Sequence, residues 1–199
     1  MTDRTEADRN RTDDRLRDEV IRTHMGAYER RYQRRWGKEP PNRSLPRVAL
    51  IHDAPADDGE NPLRNILGSG GAAVEEWRSG GEPIRIETPF RALVVSAAEI
   101  GGESELDHFR RFLRRAIGRS TLIAGLGPGV LLLAREGFLG GRRASGAPDH
   151  KEFLAAHNVH WADASVVRDG PFLTCRDPES ASDLADELME MIRTAGEEG

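Results

Sequence analysis

The sequence contains very little cysteine and no long apolar run. Cys175 is the single cysteine among 199 residues, which excludes a disulfide within the chain and fits a reducing compartment. No apolar run approaches the roughly 18 residues that a membrane-spanning helix needs. The first residues also lack the apolar stretch of a secretory signal. These absences predict a soluble, cytoplasmic protein with no membrane partner.

The chain carries no strong positive charge overall, since its net charge at pH 7 is −5. The charge is unevenly distributed along the sequence. Residues 1–47 contain 13 Lys/Arg and 9 Asp/Glu, which leaves 16 basic and 25 acidic residues for the remainder. This asymmetry separates a basic N-terminal segment from an acidic body, and the negative net charge gives no general reason to expect nucleic acid as a partner.

The N-terminal segment divides into a polar tail and a helix. Residues 1–12 show no periodicity and are predicted to be disordered. Over residues 13–46 we predict an amphipathic helix followed by a proline-rich linker, because apolar and aromatic residues recur every four positions. They are Leu16, Val20, His24, Tyr28, Tyr32 and Trp36. The helix is expected to dock on the body or on a second subunit; the alternative is that its arginines tether nucleic acid or another partner.

Residues 47–199 are predicted to form one α/β domain. Apolar runs suited to strands cover Arg47–His52, Ala73–Trp77, Phe90–Ser96, Thr121–Ala124, Ala164–Arg168 and Phe172–Cys175. Helical patterns cover Pro62–Leu67, Glu105–Ile117, Val130–Ala134, Lys151–Ala156 and Ser180–Ile192. Alternating strands and helices predict a mostly parallel sheet covered on both faces, with ligands bound outside the carboxyl ends of the strands.

The stretch from Gly118 to Ser145 has the pattern of a nucleophile elbow. An apolar strand leads into the turn Gly125-Leu126-Gly127-Pro128-Gly129, and a helix follows directly. Such a turn exposes one side chain at the end of a central strand, and the N-terminus of the helix stabilises a thiolate or an oxyanion. Here the turn contains no nucleophile. The sequence therefore predicts the architecture of a site without its usual chemistry.

The body resembles the ThiJ/PfpI superfamily, close to its PfpI-like intracellular protease branch. The resemblance rests on Gly127-Pro128, on Gly137-x-Leu139-x-Gly141-Arg142, and on Trp161-Ala-Asp163 followed by Val166-Val-x-Asp169-Gly170. It spans about Arg47 to Ile192. It implies a flavodoxin-like three-layer sandwich of the class I glutamine amidotransferase type, and a homo-oligomer, dimeric or larger.

The resemblance also implies an active site that this chain has lost. The family's elbow reads Ala-Cys-His-Gly-Pro, so Gly125 stands in the place of the cysteine and Leu126 in that of the histidine. The family's Pro-Gly-Gly after the third strand corresponds to Ser96-Ala97-Ala98. For the family's acidic residue after the first strand, Asp58 and Glu60 are only the nearest candidates. We expect Gly125, Leu126, Gly127, Ser96 and Ala97 to form a small binding pocket.

Other side chains could take over the chemistry. Cys175 is read as a buried structural thiol, with a nucleophile as the alternative. His52 ends the first strand near the mouth of the site, where it could assist acid–base catalysis. His157 and His160 are expected at the surface or in packing roles. The acidic loop around Asp57 is read as solvated, so we predict no metal and no cofactor.

These features predict a protein without catalytic activity that acts in binding, interaction or structure, with a small anionic or carbonyl compound as the ligand of its pocket. The alternative is a hydrolase, amidase or glyoxalase-type enzyme with a rearranged site that uses His52, Glu60 or Cys175.

Overall fold

A computed structural model describes residues 45–53, 62–81 and 89–197 of the chain. Eight strands lie in these ranges: β1 Arg47–His52, β2 Ala73–Arg78, β3 Ala92–Val95, β4 Leu122–Leu126, β5 Arg143–Ser145, β6 His160–Ala162, β7 Val166–Asp169 and β8 Phe172–Cys175. The α-helices are α1 Pro62–Ser69, α2 Glu103–Ile117, α3 Pro128–Arg135, α4 Lys151–Ala156 and α5 Ala181–Glu197. Two single turns of 3₁₀-helix, Pro148–His150 and Pro178–Ser180, precede α4 and α5.

Six of the strands form the central sheet in the order β2-β1-β3-β4-β8-β7. All neighbours in this sheet pair in parallel except β7, which runs antiparallel to β8. Strands β5 and β6 form a separate parallel pair. The mostly parallel α/β sandwich predicted from the sequence is therefore confirmed. The carboxyl ends of β1, β3, β4 and β8 meet at one edge of the sheet, which is where ligands bind in this architecture.

Helices cover the sheet on both faces and enclose two apolar cores. The first core lies between the sheet and helices α2, α3 and α4, where Phe109, Leu133 and Leu154 are fully buried. The second lies between the sheet and helices α1 and α5, where Leu67 and Leu188 are fully buried. Burial on both faces explains why β1, β3 and β4 read as continuous apolar runs, without the alternation of a half-exposed strand.

The structure refines several predicted boundaries. Strand β4 continues to Leu126, two residues beyond the predicted end, and α3 begins at Pro128. The short strands β5 and β6 were not predicted. The predicted N-terminal helix lies outside the described residues. Among the described residues, no helix has the length and hydropathy required to span a membrane.

Candidate functional site

The site centres on the turn between β4 and α3. Gly127 is the residue between the two elements, with φ 51° and ψ −115°. Glycine adopts this positive φ without steric strain, and the conformation lifts one residue out of the strand and onto the start of the helix. Pro128 occupies the first turn of α3, where its missing N–H costs no hydrogen bond. The predicted elbow is therefore present, with Gly127 at its apex.

Two glycines shape this turn for different reasons. A Cβ on Gly129 would lie 1.9 Å from the carbonyl oxygen of Val95, so only glycine lets α3 begin this close to the end of β3. A Cβ on Gly127 would have no heavy atom within 4 Å. The turn thus leaves open space where an elbow residue would carry its side chain.

The structure places Gly125, the residue predicted to stand in the nucleophile position, inside a strand and two residues before the apex. Gly125 lies inside β4, paired with Val95 and Thr174 on the neighbouring strands. A Cβ there would meet Leu133 at 3.0 Å, so its side-chain direction points into the first core. The side chain of Leu126 packs in the second core. The spacing of three glycines in five residues concealed which one forms the apex.

Small residues flank the apex on the side of β3. Ser96 and Ala97 follow β3, which ends one residue before the predicted Ser96, and the N–H of Ser96 donates to the Ile51 carbonyl at 2.8 Å. The next residue, Ala98, donates its N–H to the Asp53 carboxylate at 2.8 Å. Asp53 therefore ties the loop after β1 to the loop after β3. Asp53 is an acidic side chain that the structure places at this edge, and it was not among the predicted site residues.

Cys175 lies on the other side of the apex, with its side chain turned away into the second core. The N–H of Gly127 donates to the Cys175 carbonyl at 3.0 Å, which makes the two residues neighbours through the backbone. The thiol, however, is fully buried in the second core, and its Sγ lies 3.5 Å from the Asp177 carbonyl. Burial raises the pKa of the Cys175 thiol to about 11. The thiol is therefore protonated at neutral pH and shielded from solvent.

His52 ends β1 but takes part in a different network. Its Nδ1 lies 2.6 Å from the Asp53 carbonyl and its Nε2 lies 3.2 Å from the Glu76 carboxylate. Glu76 also pairs with Arg64 at 3.0 Å on helix α1. His52 is 97% buried, and both ring nitrogens already contact protein acceptors. His52 therefore braces β1 against β2 and α1, without a free nitrogen for a ligand at Gly127.

Of the remaining candidates, those within the described residues do not converge on the apex. Glu60, Asp57 and Asp58 lie outside the described residues. His157 stacks on Phe153 with ring centroids 4.2 Å apart, which is the packing role that was expected. His160 is exposed on β6. Among the described residues, no group of three or more His, Cys, Asp or Glu side chains could hold a metal ion.

Arg176 is the polar side chain that follows β8 at this edge, and the sequence analysis overlooked it. Its guanidinium pairs with Asp163 at 2.5 Å, and its backbone N–H donates to the Ser165 carbonyl. The Nε atom is buried without a hydrogen-bond partner. The pairing fixes the segment after β6 across the end of β8. The Trp161-Ala-Asp163 motif was the available signal, because it places an acid where an arginine after β8 can reach it.

Comparisons with known proteins agree with this architecture. The model of the DJ-1/PfpI family matches residues 92–191, which is half of the chain. A ThiJ/PfpI domain protein from Brachyspira murdochii superposes with a TM-score of 0.57 at 15% identity, covering 74% of this chain and 96% of that one. Drosophila melanogaster DJ-1beta gives a TM-score of 0.55 at 18% identity, covering 76% of this chain and 97% of that one. A DJ-1 superfamily protein from Salmonella typhimurium gives 0.53 at 19%, covering 77% and 97%. At these identities the likeness concerns the fold alone. No curated protein matches the sequence.

Proposed function

The chain belongs to the DJ-1/PfpI family, and we propose that it is a member without covalent catalysis that acts by binding. The observation that carries the proposal is the residue at the apex of the elbow. Gly127 offers no nucleophile. Cys175 carries the single thiol of the chain, and this thiol is buried in the second core with its pKa raised to about 11. A thiol in that state supplies too little thiolate at neutral pH for nucleophilic attack.

The ligand we propose is a small anion or a carbonyl compound held at the start of α3. The open space at Gly127 adjoins the first turn of the helix, and Ser96 and Ala97 keep the neighbouring loop small. Gly129, in the first turn of α3, has no acceptor for its N–H within the helix. The helix dipole adds a partial positive charge at this point, which favours an oxyanion or a polarised carbonyl oxygen.

Turnover assays test the absence of catalysis. Wild-type protein is incubated with methylglyoxal, a peptide substrate and a glutamine analogue, beside Cys175→Ala and His52→Ala. We expect no turnover above the buffer background for any of the three proteins. Wild-type turnover that Cys175→Ala or His52→Ala abolishes would establish the alternative, an enzyme with a rearranged site, and would contradict the proposal.

Binding is measured separately, by the thermal shift that acetate or pyruvate produces. The matched variants are Gly127→Ala, which fills the open space, and Gly118→Ala, which adds the same methyl group at an exposed position with a φ of −64°. We expect the shift to be lost in Gly127→Ala and kept in Gly118→Ala. Equal shifts in the two variants would show that the ligand binds elsewhere.

The proposed organisation of the whole chain includes one α/β domain over residues 47–199, a cytoplasmic location and a homo-oligomer. The single cysteine supports a reducing compartment. The apolar stripe of the N-terminal segment supports self-association, since such a stripe needs a partner surface. Deleting residues 1–46 and measuring the mass in solution tests this part, and an unchanged oligomer would contradict a role for that segment.

A further inference from the structure

Five exposed arginines form one surface at the C-terminal half of α2. Arg111, Arg114 and Arg115 lie on the exposed side of the helix, Arg119 follows its end, and Arg91 precedes β3. Leu122, at the start of β4, donates its N–H to the Arg91 carbonyl, which brings Arg91 beside the segment that follows Arg119. Among the described residues, none of these five side chains has an ion pair or a hydrogen bond. We call this group the arginine surface.

Arginine on this helix is not always unpaired. The guanidinium of Arg110 lies 2.7 Å from Glu136, 3.0 Å from Asp107 and 3.4 Å from Glu103, so its charge is balanced by three carboxylates. The pairs Arg111–Arg114 and Arg111–Arg115, by contrast, stand one helical turn apart with like charge, which is destabilising. One or two cationic side chains in the last turn are enough to interact with the partial negative charge at the C-terminus of the helix. The helix therefore carries more unneutralised positive charge than its own stability requires.

An apolar recess opens within the arginine surface. Arg115 and Arg119 line it together with Phe90, Leu93 and Phe112, and its volume is about 20 Å³. That space admits a group about the size of a methyl or one water molecule. Arginine side chains around an apolar recess match a partner that offers carboxylates and a small aliphatic group together.

We propose that the arginine surface binds an acidic segment of a partner protein, with carboxylates on the guanidinium groups and an aliphatic side chain at the recess. Charge complementarity selects this occupant over a long polyanion. Residues 48–199 contain 16 basic and 25 acidic residues, so without the five arginines the rest of this body carries 11 against 25. A nucleic acid or an anionic membrane extending beyond the surface would meet that negative charge, whereas a short segment would not.

The probe for this proposal is a fluorescein-labelled peptide of 12 residues with the repeat Asp-Glu-Leu, measured by fluorescence anisotropy on the full chain. The test protein combines Arg111→Gln, Arg115→Gln and Arg119→Gln. The control combines Arg143→Gln and Arg168→Gln, which remove two exposed arginines elsewhere on the body. Circular dichroism verifies that both variants are folded.

We expect the triple variant to bind the peptide about tenfold more weakly than wild type and the control to stay within about twofold. Peptide binding should weaken as salt rises, and a peptide with serine in place of leucine should bind severalfold more weakly. Equal affinity of the triple variant and wild type would overturn the proposal. So would a 12-base-pair DNA duplex or a phosphatidylserine vesicle that binds the surface as tightly as the peptide.

Discussion

Substituting Gly129 or Gly127 of the elbow by alanine tests the geometry of the site, because the added methyl group should destabilise the fold for a different reason at each position. At Gly129 the new Cβ would lie 1.9 Å from the Val95 carbonyl oxygen, where ordinary contact begins at 3.4 Å. The new contact would be about 1.5 Å too short. The atoms it meets are backbone atoms of Val95 and Ser96, which cannot rotate away as a side chain can, so α3 must move away from β3. Overpacking of this kind costs about 3 kcal/mol or more of the free energy of unfolding.

At Gly127 the methyl group meets no atom within 4 Å, and only the backbone is strained by the φ of 51°. A non-glycine residue held at positive φ costs about 1–2 kcal/mol. Gly118→Ala is the control, since its φ is −64° and its nearest contact would be an ordinary 3.5 Å. That control should change stability little, or raise it by about 0.4–1 kcal/mol.

Urea unfolding followed by circular dichroism measures all three variants. With a slope of about 2 kcal/mol per molar urea, Gly129→Ala should lower the midpoint by about 1.5 M, and Gly127→Ala by about 0.5–1 M. We therefore expect the loss of stability to be largest for Gly129→Ala, smaller for Gly127→Ala and smallest for Gly118→Ala. A Gly127→Ala variant that loses more stability than Gly129→Ala would refute the assignment of Gly127 to the open apex and of Gly129 to the close approach.

Four further predictions follow from the described contacts. Gly127→Cys in a Cys175→Ala background should gain one thiol that iodoacetamide alkylates within minutes. In native wild type at pH 8, Cys175 should react with iodoacetamide at least about a hundredfold more slowly than in urea. The reason is that its pKa of about 11 lies more than two units above the pKa of an exposed thiol. The rate of alkylation should therefore rise with pH up to about 11. Glu76→Gln should lower the free energy of unfolding by about 1–3 kcal/mol, measured in urea, because it weakens a contact of the buried His52; an unchanged midpoint would contradict the bracing role. For Asp177, hydrogen bonds from the side chain and backbone of Ser180 lower the pKa of the carboxyl, so its contribution to stability should be lost as pH falls through that lowered pKa, and Asp177→Asn should show a weaker acid dependence.

The sequence predicted the sandwich well because each buried strand is an uninterrupted apolar run. Ala92–Val95 and Leu122–Leu126 are covered on both faces, so their composition alone marks them as central strands. Strands β5 and β6 have three residues each and were missed. Their pairing depends on distant contacts, such as the Ser145 N–H that donates to the Thr174 hydroxyl at 2.8 Å, and no local pattern records such a contact.

The site was harder to predict because its side chains are placed by pairing across the sheet. His52 was placed correctly at the end of β1, but its partner Glu76 is set by the register of β2, in which His52 lies opposite Arg78. Asp53 was passed over because its importance rests on the Ala98 N–H, 45 residues away. A motif names residues that are close in sequence, whereas these contacts are made by strands that are neighbours only in space.

The elbow shows why residue type alone does not predict which glycine of a glycine-rich turn lies at its apex. Gly125, Gly127 and Gly129 alternate along the chain, yet the first lies in a strand, the second turns the chain at positive φ, and the third admits a carbonyl oxygen. Only the second requires the backbone freedom of glycine, and only the third requires the absence of a side chain to keep β3 and α3 in place. A cysteine at the apex would therefore cost a modest strain of the backbone, while even alanine at Gly129 would force α3 away from β3. The architecture of a nucleophile elbow thus persists here independently of the nucleophile, because Gly129 and the packing of α3, and not the apex residue, hold the turn in its shape.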